Sequence, residues 1–573
     1  MNQTIIPIIA NDGARQRKRQ APKGRQVDPA ALAEVQALLG AASRQPDLLI
    51  EHLHKIQDRF GCLSAAHLAA LAQEMRLAQV EVYEVASFYH HFDVVREGGS
   101  APAALTVRVC DGLSCEMAGA RDLLARLPQI LGTGVRVIAA PCVGRCEHAP
   151  VAVVGQNPVP HASCASVKHA VDAKQTAHVP DGFIDYAAYR AQGGYRLLQD
   201  CISGAREVES VIKVMEDSGL RGLGGAGFPA GRKWRTVRAE AGPRLMAVNI
   251  DEGEPGTFKD RFYLERDPHR MLEGMLIAAW AVGIDEIYLY LRDEYHACRA
   301  LLEAELEQLR ASPPMAAMPQ IFLRRGAGAY ICGEESAMIE SIEGRRGMPR
   351  LRPPYVAQVG LFGRPTLQHN FETLYRVREI LEQGAAWFTA HGRNGRKGLR
   401  AFSVSGRVRQ PGVKLAPAGI TVQQLIDEYC GGMQDGHALY AYLPGGASGG
   451  ILPASMNQIP LDFDTLQPYG CFIGSAAVIV LSDQDSAVGA ARNLMRFFKH
   501  ESCGQCTPCR VGTAKALTLI EQPQWDIGLL AELSSVMRDA SICGLGQAAP
   551  NPIDCVIKYF PHELAGTTAE TTA

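Results

Sequence analysis

Three cysteines in Cys503-Gly-Gln-Cys506-Thr-Pro-Cys509 constrain this chain more than any other stretch, because two-residue gaps let three thiolates converge on one face of a cubane. A fourth, Cys543 in Ser541-Ile-Cys-Gly-Leu-Gly546, closes the coordination from a distance. Zinc sites usually add a second C-x2-C pair, so the spacing favours a 4Fe-4S cluster over structural zinc or unligated thiols.

At 573 residues the chain exceeds what one hydrophobic core supports, and roughly 150 residues per domain gives about four units. With 47% hydrophobic and 21% charged residues and a formal net charge of -2, nothing demands a nucleic-acid partner. The 16 cysteines do not form the dense framework of a small secreted domain, which points to a reducing compartment. The apolar run Thr4-Ile-Ile-Pro-Ile-Ile9 precedes its basic cluster, reversing the order of a secretory signal, and no apolar stretch reaches the ~18 residues of a membrane span. A soluble cytoplasmic protein is expected, with any membrane contact made through partners.

Along the chain, residues 1–27 read as a basic extended arm (Arg15, Arg17, Lys18, Arg19, Lys23, Arg25), solvated or lying on an acidic partner. Asp28-Pro29 opens a helical module over 28–97, in which Leu49, Leu53, Ile56 and Phe60 form one stripe, Ser64 starts another helix and 78–92 a third. Strand alternation begins at Leu105 and recurs at 135–139 and 151–154, so 98–180 reads as a small α/β unit. Cys110, Cys115, Cys142 and Cys146 sit just past its strands, and their spacing suits either a 2Fe-2S cluster or zinc. His148 and His161 nearby read as solvated loop residues rather than ligands. Residues 181–215 read as a linker.

Ser218 to Trp234 is dense in glycine and ends in Arg232 and Lys233, which suits a loop whose amides approach phosphate. Its G-x-G-x-x-G match at Gly222, Gly224 and Gly227 follows an expected helix, Val211 to Glu216, and not a strand, so a nucleotide loop of a fold other than the Rossmann type is expected. Asn249 to Asp260 follows the strand Leu245 to Val248 with carboxylates beside turns, where they can accept from sugar hydroxyls or simply be solvated. A helix over 270–283 and a strand from Ile287 to Leu291 come next, and Arg325 to Ser336 again combines glycines, an aromatic and paired acids. Residues 216–398 thus read as a nucleotide-binding domain, 399–484 as a β-rich unit with strands near 402–408, 439–443 and 475–481, and 485–573 as a helical domain carrying the first cysteine quartet.

Together these segments resemble the NADH-oxidising, flavin-bearing subunit of respiratory complex I and its relatives in soluble NAD-linked formate dehydrogenases and hydrogenases. The likeness runs over roughly 30 to 565 and is closest at 216–265, 324–373 and 498–549. Residues 30–175 are similar to that family's thioredoxin-like 2Fe-2S subunit, here joined ahead of the flavin-bearing part as in the diaphorase subunits of molybdenum or tungsten formate dehydrogenases. The resemblance implies an α/β multidomain fold: an N-terminal helical and thioredoxin-like 2Fe-2S part, a non-classical Rossmann-like FMN/NAD domain, a ubiquitin-like SLBB unit and a helical 4Fe-4S domain. It implies FMN contacts at Gly222, Gly224, Gly225, Lys233, Asn249, Asp251, Glu252, Gly333, Glu334, Asn370 and Thr373, and nicotinamide-nucleotide contacts at Phe228, Glu254, Tyr330 and Glu335.

Catalysis would need no side-chain nucleophile, Glu254 at most tuning the cofactor. Electrons would pass from a molybdenum or tungsten formate-oxidising alpha subunit, with further iron-sulfur clusters, through the 4Fe-4S cluster and FMN to NAD, the 2Fe-2S cluster being a side branch. All four N-terminal cysteines are present, whereas fused hydrogenase diaphorases often lack the set. Arg352, Tyr355 and His369 depart from the family's usual Lys, Phe and Asn. Of the cysteines outside both quartets, Cys332 lies within the flavin motif and the rest read as buried small hydrophobes. Alternatives are the diaphorase half of an NAD-reducing hydrogenase, a detached complex I module, a zinc-bound docking scaffold, or a nucleotide sensor.

Overall fold

A computed structural model describes residues 25–180 and 182–565. Most of the expected basic arm, residues 1–24, lies outside them. Arg25 is anchored: its amide donates to Gln79 Oε1 at 3.1 Å and its guanidinium pairs with Glu97 at 2.9 Å.

Asp28 caps the helix Pro29–Leu39 by accepting from the Ala30 amide, and the stripe on Leu49–Phe60 buries Leu53 and Ile56 completely. Ser64 caps Ala65–Met75. The next helix, Gln79–Phe88, stops short of the expected 92, because Tyr89 turns extended and drives its ring into the neighbouring domain. There its hydroxyl donates to the Arg345 carbonyl at 2.7 Å and lies in hydrogen-bond reach of Ser341 Oγ at 2.9 Å.

The second unit is a four-stranded sheet ordered Val135–Ala140, Leu105–Cys110, Ala152–Val154, Asn157–Val159, the first pair parallel and the others antiparallel. Helices Ala120–Leu131 and Cys164–Asp172 cover one face and bury Val107 and Val109.

Residues 181–215 are not a linker. Tyr186–Ala191, Arg196–Ile202 and Val208–Asp217 are helices, and they bury Tyr189, Leu198, Ile212 and Met215 in the core built on Pro268–Val282. The breaks at Gly193-Gly194 and Gly204 hid short amphipathic turns. Tyr189 donates to the buried Glu273 at 2.6 Å, and His269 joins Tyr195 (2.8 Å) to Glu305 (2.7 Å).

The central sheet is parallel throughout, ordered Thr366–Asn370, Leu245–Ile250, Glu286–Leu291, Gln320–Arg325. From Leu245–Ile250 the chain steps outward twice to one side, then returns to the other side with Thr366–Asn370. The carboxyl ends of those two strands therefore flank a topological switch point, where an open α/β sheet forms its ligand crevice.

The β-rich unit is a five-stranded sheet whose first two strands, Gly412–Pro417 and Leu399–Gly406, pair antiparallel. Helices Ala487–Glu501, Thr507–Ile520, Ile527–Ala540 and Asn551–Tyr559 pack together at the C-terminal end. Among the described residues no helix is long and apolar enough to cross a membrane.

Gly274 lies where Pro268–Val282 crosses Phe371–Tyr375, and a Cβ there would collide with the Leu374 carbonyl. Gly274→Val should cost about 3 kcal/mol or more, because backbone cannot yield as a rotamer does. Thermal unfolding checks it, and an unchanged midpoint would contradict this packing.

Candidate functional site

The crevice at the switch point holds a cavity of about 520 Å³, within the usual range for ligand pockets. Its floor is the glycine loop that the sequence singled out. The Gly222 amide donates to the Phe228 carbonyl at 2.8 Å, closing the loop, and Gly225 and Gly227 take φ of +125° and +66°. A Cβ on Gly227 would lie 2.6 Å from the Phe463 ring, so only glycine fits there.

All the pocket residues expected from the resemblance line this cavity except Thr373. Thr373 is buried beneath, where its Oγ1 accepts from the Leu223 amide at 2.9 Å and holds the loop down.

The lining carboxylates have different work. Glu252 accepts from the Asp260 and Arg261 amides (2.7 and 3.1 Å) and from the Tyr295 hydroxyl (2.8 Å), so it serves as an internal strut. Burial still pushes its carboxyl up to about 7, with Asp260 adding to the effect. Glu254 accepts from the Ser448 amide and hydroxyl (2.8 and 2.6 Å) and from the Tyr330 hydroxyl. Glu334 caps Glu335–Ile342 through the Ser336 and Ala337 amides and pairs with Arg352.

Asn249 bridges the two motifs, donating to the Gly333 carbonyl and accepting from the Asp251 amide, each at 2.9 Å. Asn370 donates to Asp260 at 2.6 Å. Lys233 Nζ donates to the Gln368 carbonyl at 3.1 Å, and burial lowers its pKa despite the opposing Glu335. His369 replaces an expected amide yet stays neutral, since burial holds its pKa well below normal and Trp234 Nε1 donates to it at 2.8 Å.

Phe228 is 42% exposed at the mouth, and Tyr355 is exposed at 56%. Cys332 is buried under Tyr89 and Tyr290, with its thiol pushed up to about 12 by burial. The other cysteines outside the two quartets are buried except Cys164, which is half-buried.

Sequence reasoning missed Lys259, Ser448 and the segment Phe472 to Ser475. Lys259 is buried between Asp260 (2.6 Å) and Glu372 (3.2 Å) on the cavity wall. Ser448 stands in Gly445-Gly-Ala-Ser-Gly-Gly450, a glycine cluster as dense as the loop at 222–227.

The cysteine quartets form two nests. Cys543 directly precedes Gly544 and Leu545, which line the same cavity. Burial pushes the Cys543 thiol up to about 12, although the Leu545 and Gly546 amides point at it, and Cys503 is raised likewise. Such thiols are protonated when free and become thiolates only against a positive centre. Cys110, Cys115, Cys142 and Cys146 are all buried, with Cys142 and Cys146 sulfurs 3.3 Å apart and Cys110 contacting Cys115 and Cys142. Four converging sulfurs fit a cluster in each nest. His148 and His161 lie face to edge at 5.7 Å without joining either nest.

The N-terminal nest is bolted to the central parallel sheet and the helix that follows its first strand. Arg261 Nε donates to the Gly144 carbonyl at 2.9 Å and Arg292 to the Cys142 carbonyl at 2.7 Å, while Arg261 also pairs with Glu147.

Asp251 is buried with Oδ2 unpartnered, and burial raises its pKa well above the usual carboxylate value. A raised folded pKa means the associated stability is complete below about pH 4 and is lost as pH climbs through the folded value. Flavin-free Asp251→Asn should therefore gain stability over the parent progressively above about pH 4. Melting curves across that range test it, and a pH-independent difference would refute it. A buried acceptor with no donor on a ligand-sized cavity also fits a group that brings hydrogen-bond donors, as a flavin does.

Known proteins match each part. The Nuo51 FMN-binding domain matches residues 215–379, the NADH-ubiquinone oxidoreductase-F iron-sulfur binding region 489–566, a thioredoxin-like [2Fe-2S] ferredoxin 35–175 and an SLBB domain 402–452. The second of the NADH-quinone oxidoreductase F subunits of Rhizobium meliloti (strain 1021) is 39% identical over 406 residues, covering 68% of this chain and 96% of the relative. The mitochondrial NADH dehydrogenase [ubiquinone] flavoprotein 1 of Dictyostelium discoideum is 40% identical over 373 residues, 62% of this chain and 78% of the relative. A chain in the crystal structure of an NAD+-reducing [NiFe]-hydrogenase in the H2-reduced state superposes with a TM-score of 0.81 at 33% identity, covering 92% of this chain and 93% of that one. The chain belongs to the family of the NADH-quinone oxidoreductase F subunits, NAD-dependent flavoproteins with FMN-binding and 4Fe-4S domains, here with a thioredoxin-like 2Fe-2S domain joined ahead.

Proposed function

We propose that the chain is the NAD-reactive diaphorase subunit of a cytoplasmic formate dehydrogenase, joined to a molybdenum or tungsten subunit that oxidises formate. The observation that carries the electron path is the shared wall: Gly544 and Leu545, next to Cys543, line the cavity that also contains the glycine loop and Asn249. FMN, when bound, supplies the exchange between hydride and single electrons. The complete N-terminal quartet supports the formate reading over a hydrogenase one.

The chain's own groups bind and orient. The exposed Phe228 ring, with Arg232 and Lys233 each 5.8 Å from its centroid, offers a face for adenine and positive charge for phosphates. A carboxylate at Glu335, 3.6 Å from Arg352, would accept from a ribose hydroxyl and repel a 2'-phosphate. Glu254, held by Ser448 and Tyr330, keeps a half-buried carboxyl at the cavity edge, its pKa raised by desolvation.

The structural likeness to the NAD+-reducing [NiFe]-hydrogenase chain favours a second reading, the diaphorase half of such a hydrogenase. Metal that co-purifies with the native complex decides between them: molybdenum or tungsten with formate-dependent NAD reduction, or nickel with none. Anaerobic NADH should bleach the bound flavin, and a flavin that NADH leaves unchanged would end both readings.

Phe228→Ala should raise KM for NADH about fivefold with little change in kcat, since stacking of one ring is worth on the order of 1 kcal/mol. Cys543→Ala should lower iron from about six to about two per chain while flavin is retained. Iron and flavin assays on one sample check this, and iron still near six would remove Cys543 from the ligand set.

A further inference from the structure

We infer that the chain carries a second anion site, separate from the flavin pocket, for a small free oxyanion of the phosphate class. It lies behind the glycine loop, where Arg221, Arg396, Lys397 and Arg400 line a cavity of about 250 Å³ with Asp462 and Phe463. None of its lining residues lines the flavin cavity.

The charges do not balance. Asp462 serves both Arg396 (2.7 Å) and Arg400 (3.1 Å), Asp464 pairs with Arg221 at 2.5 Å, and Lys397 is exposed beside them, so four cations meet two carboxylates. Glu372, the next nearest acid to Arg400, is engaged by Lys259 and Arg376.

Arg400 is the strongest sign. Its side chain is 4% exposed, and among the described residues its one ion pair is to Asp462 and its buried Nε has no hydrogen-bond partner. The Arg400 and Arg221 guanidinium carbons stand 4.1 and 4.3 Å from the Phe463 ring centroid, which holds both cations at this cavity. A buried donor left unmade is costly. An oxyanion satisfies it, because the guanidinium fork matches the edge of a tetrahedral oxyanion. The cavity holds phosphate with a few waters but falls short of the roughly 300 Å³ from which ligand pockets for larger molecules begin.

Occupancy would also reach the flavin loop. Arg221 Nε donates to the Gly227 carbonyl at 2.5 Å, so an anion that draws on Arg221 bears on the turn that lines the flavin cavity.

The test is calorimetric titration of inorganic phosphate into the FMN-loaded full chain at constant ionic strength, with chloride as the reference salt. One saturable site per chain is expected, unaffected by saturating NAD+. Lys397→Glu, at the exposed rim, should weaken it about fivefold and Arg400→Gln at least about tenfold, each losing a charge-assisted contact. AMP should bind at least about tenfold more weakly than phosphate, since base and ribose exceed the cavity. No saturable phosphate binding, displacement by NAD+, tighter binding of AMP, or unchanged affinity in Lys397→Glu would each overturn the assignment. Should Arg400→Gln fail to fold, Lys397→Glu alone decides it.

Discussion

The buried carboxylate of Glu252 is the contact on which the redox layout rests. It gathers the amides of Asp260 and Arg261 and the hydroxyl of Tyr295, which sets the turn after the first central strand and aims Arg261 at the N-terminal cysteine loop. Removing one partner of such a buried, fully bonded group leaves the others uncompensated, so the arrangement is rigid rather than merely stable. Electron transfer depends steeply on separation, and a rigid strut fixes that separation without any group having to move.

The same logic explains why loops from three units converge on one crevice. The sheet supplies Asn249 and Asn370 from adjacent parallel strand ends, the β-rich unit supplies Ser448 and Phe472, and the C-terminal helices supply Gly544 and Leu545. No one unit forms the pocket alone. Each crosses to the others through backbone-directed bonds, such as Ser448 to Glu254 and Asn551 to the Ser448 carbonyl, which hold position better than long side chains do.

Much of this was legible in the sequence, for identifiable reasons. The cysteine quartets and the glycine loop stood out because their spacing and density have few other uses, and Asp28-Pro29 and Ser64 because capping chemistry is local. Thr373 was expected to line the pocket but braces the loop from below, since sequence shows residue type and not which way a side chain turns; Glu252 does line the cavity and also holds the turn from which Arg261 reaches the cysteine loop. The helices Tyr186–Ala191 and Arg196–Ile202 were hidden because each is short and their apolar face appears only once Tyr189 and Leu198 are summed against a distant helix, whereas Val208–Asp217 was expected from Val211 to Glu216. Strands Gln320–Arg325 and Thr366–Asn370 escaped because Arg324, Arg325, Gln368 and His369 break the apolar run, yet are buried through their own partners.

The two sulfur nests differ in how far they are sealed. Every cysteine of the N-terminal quartet is buried, whereas Cys503, Cys506 and Cys543 are only partly covered. A centre closed on all sides can be filled and emptied only from within, and it is shielded from dioxygen and peroxide. The half-open one lacks that protection, so oxidation by air should begin at Cys503, Cys506 and Cys543.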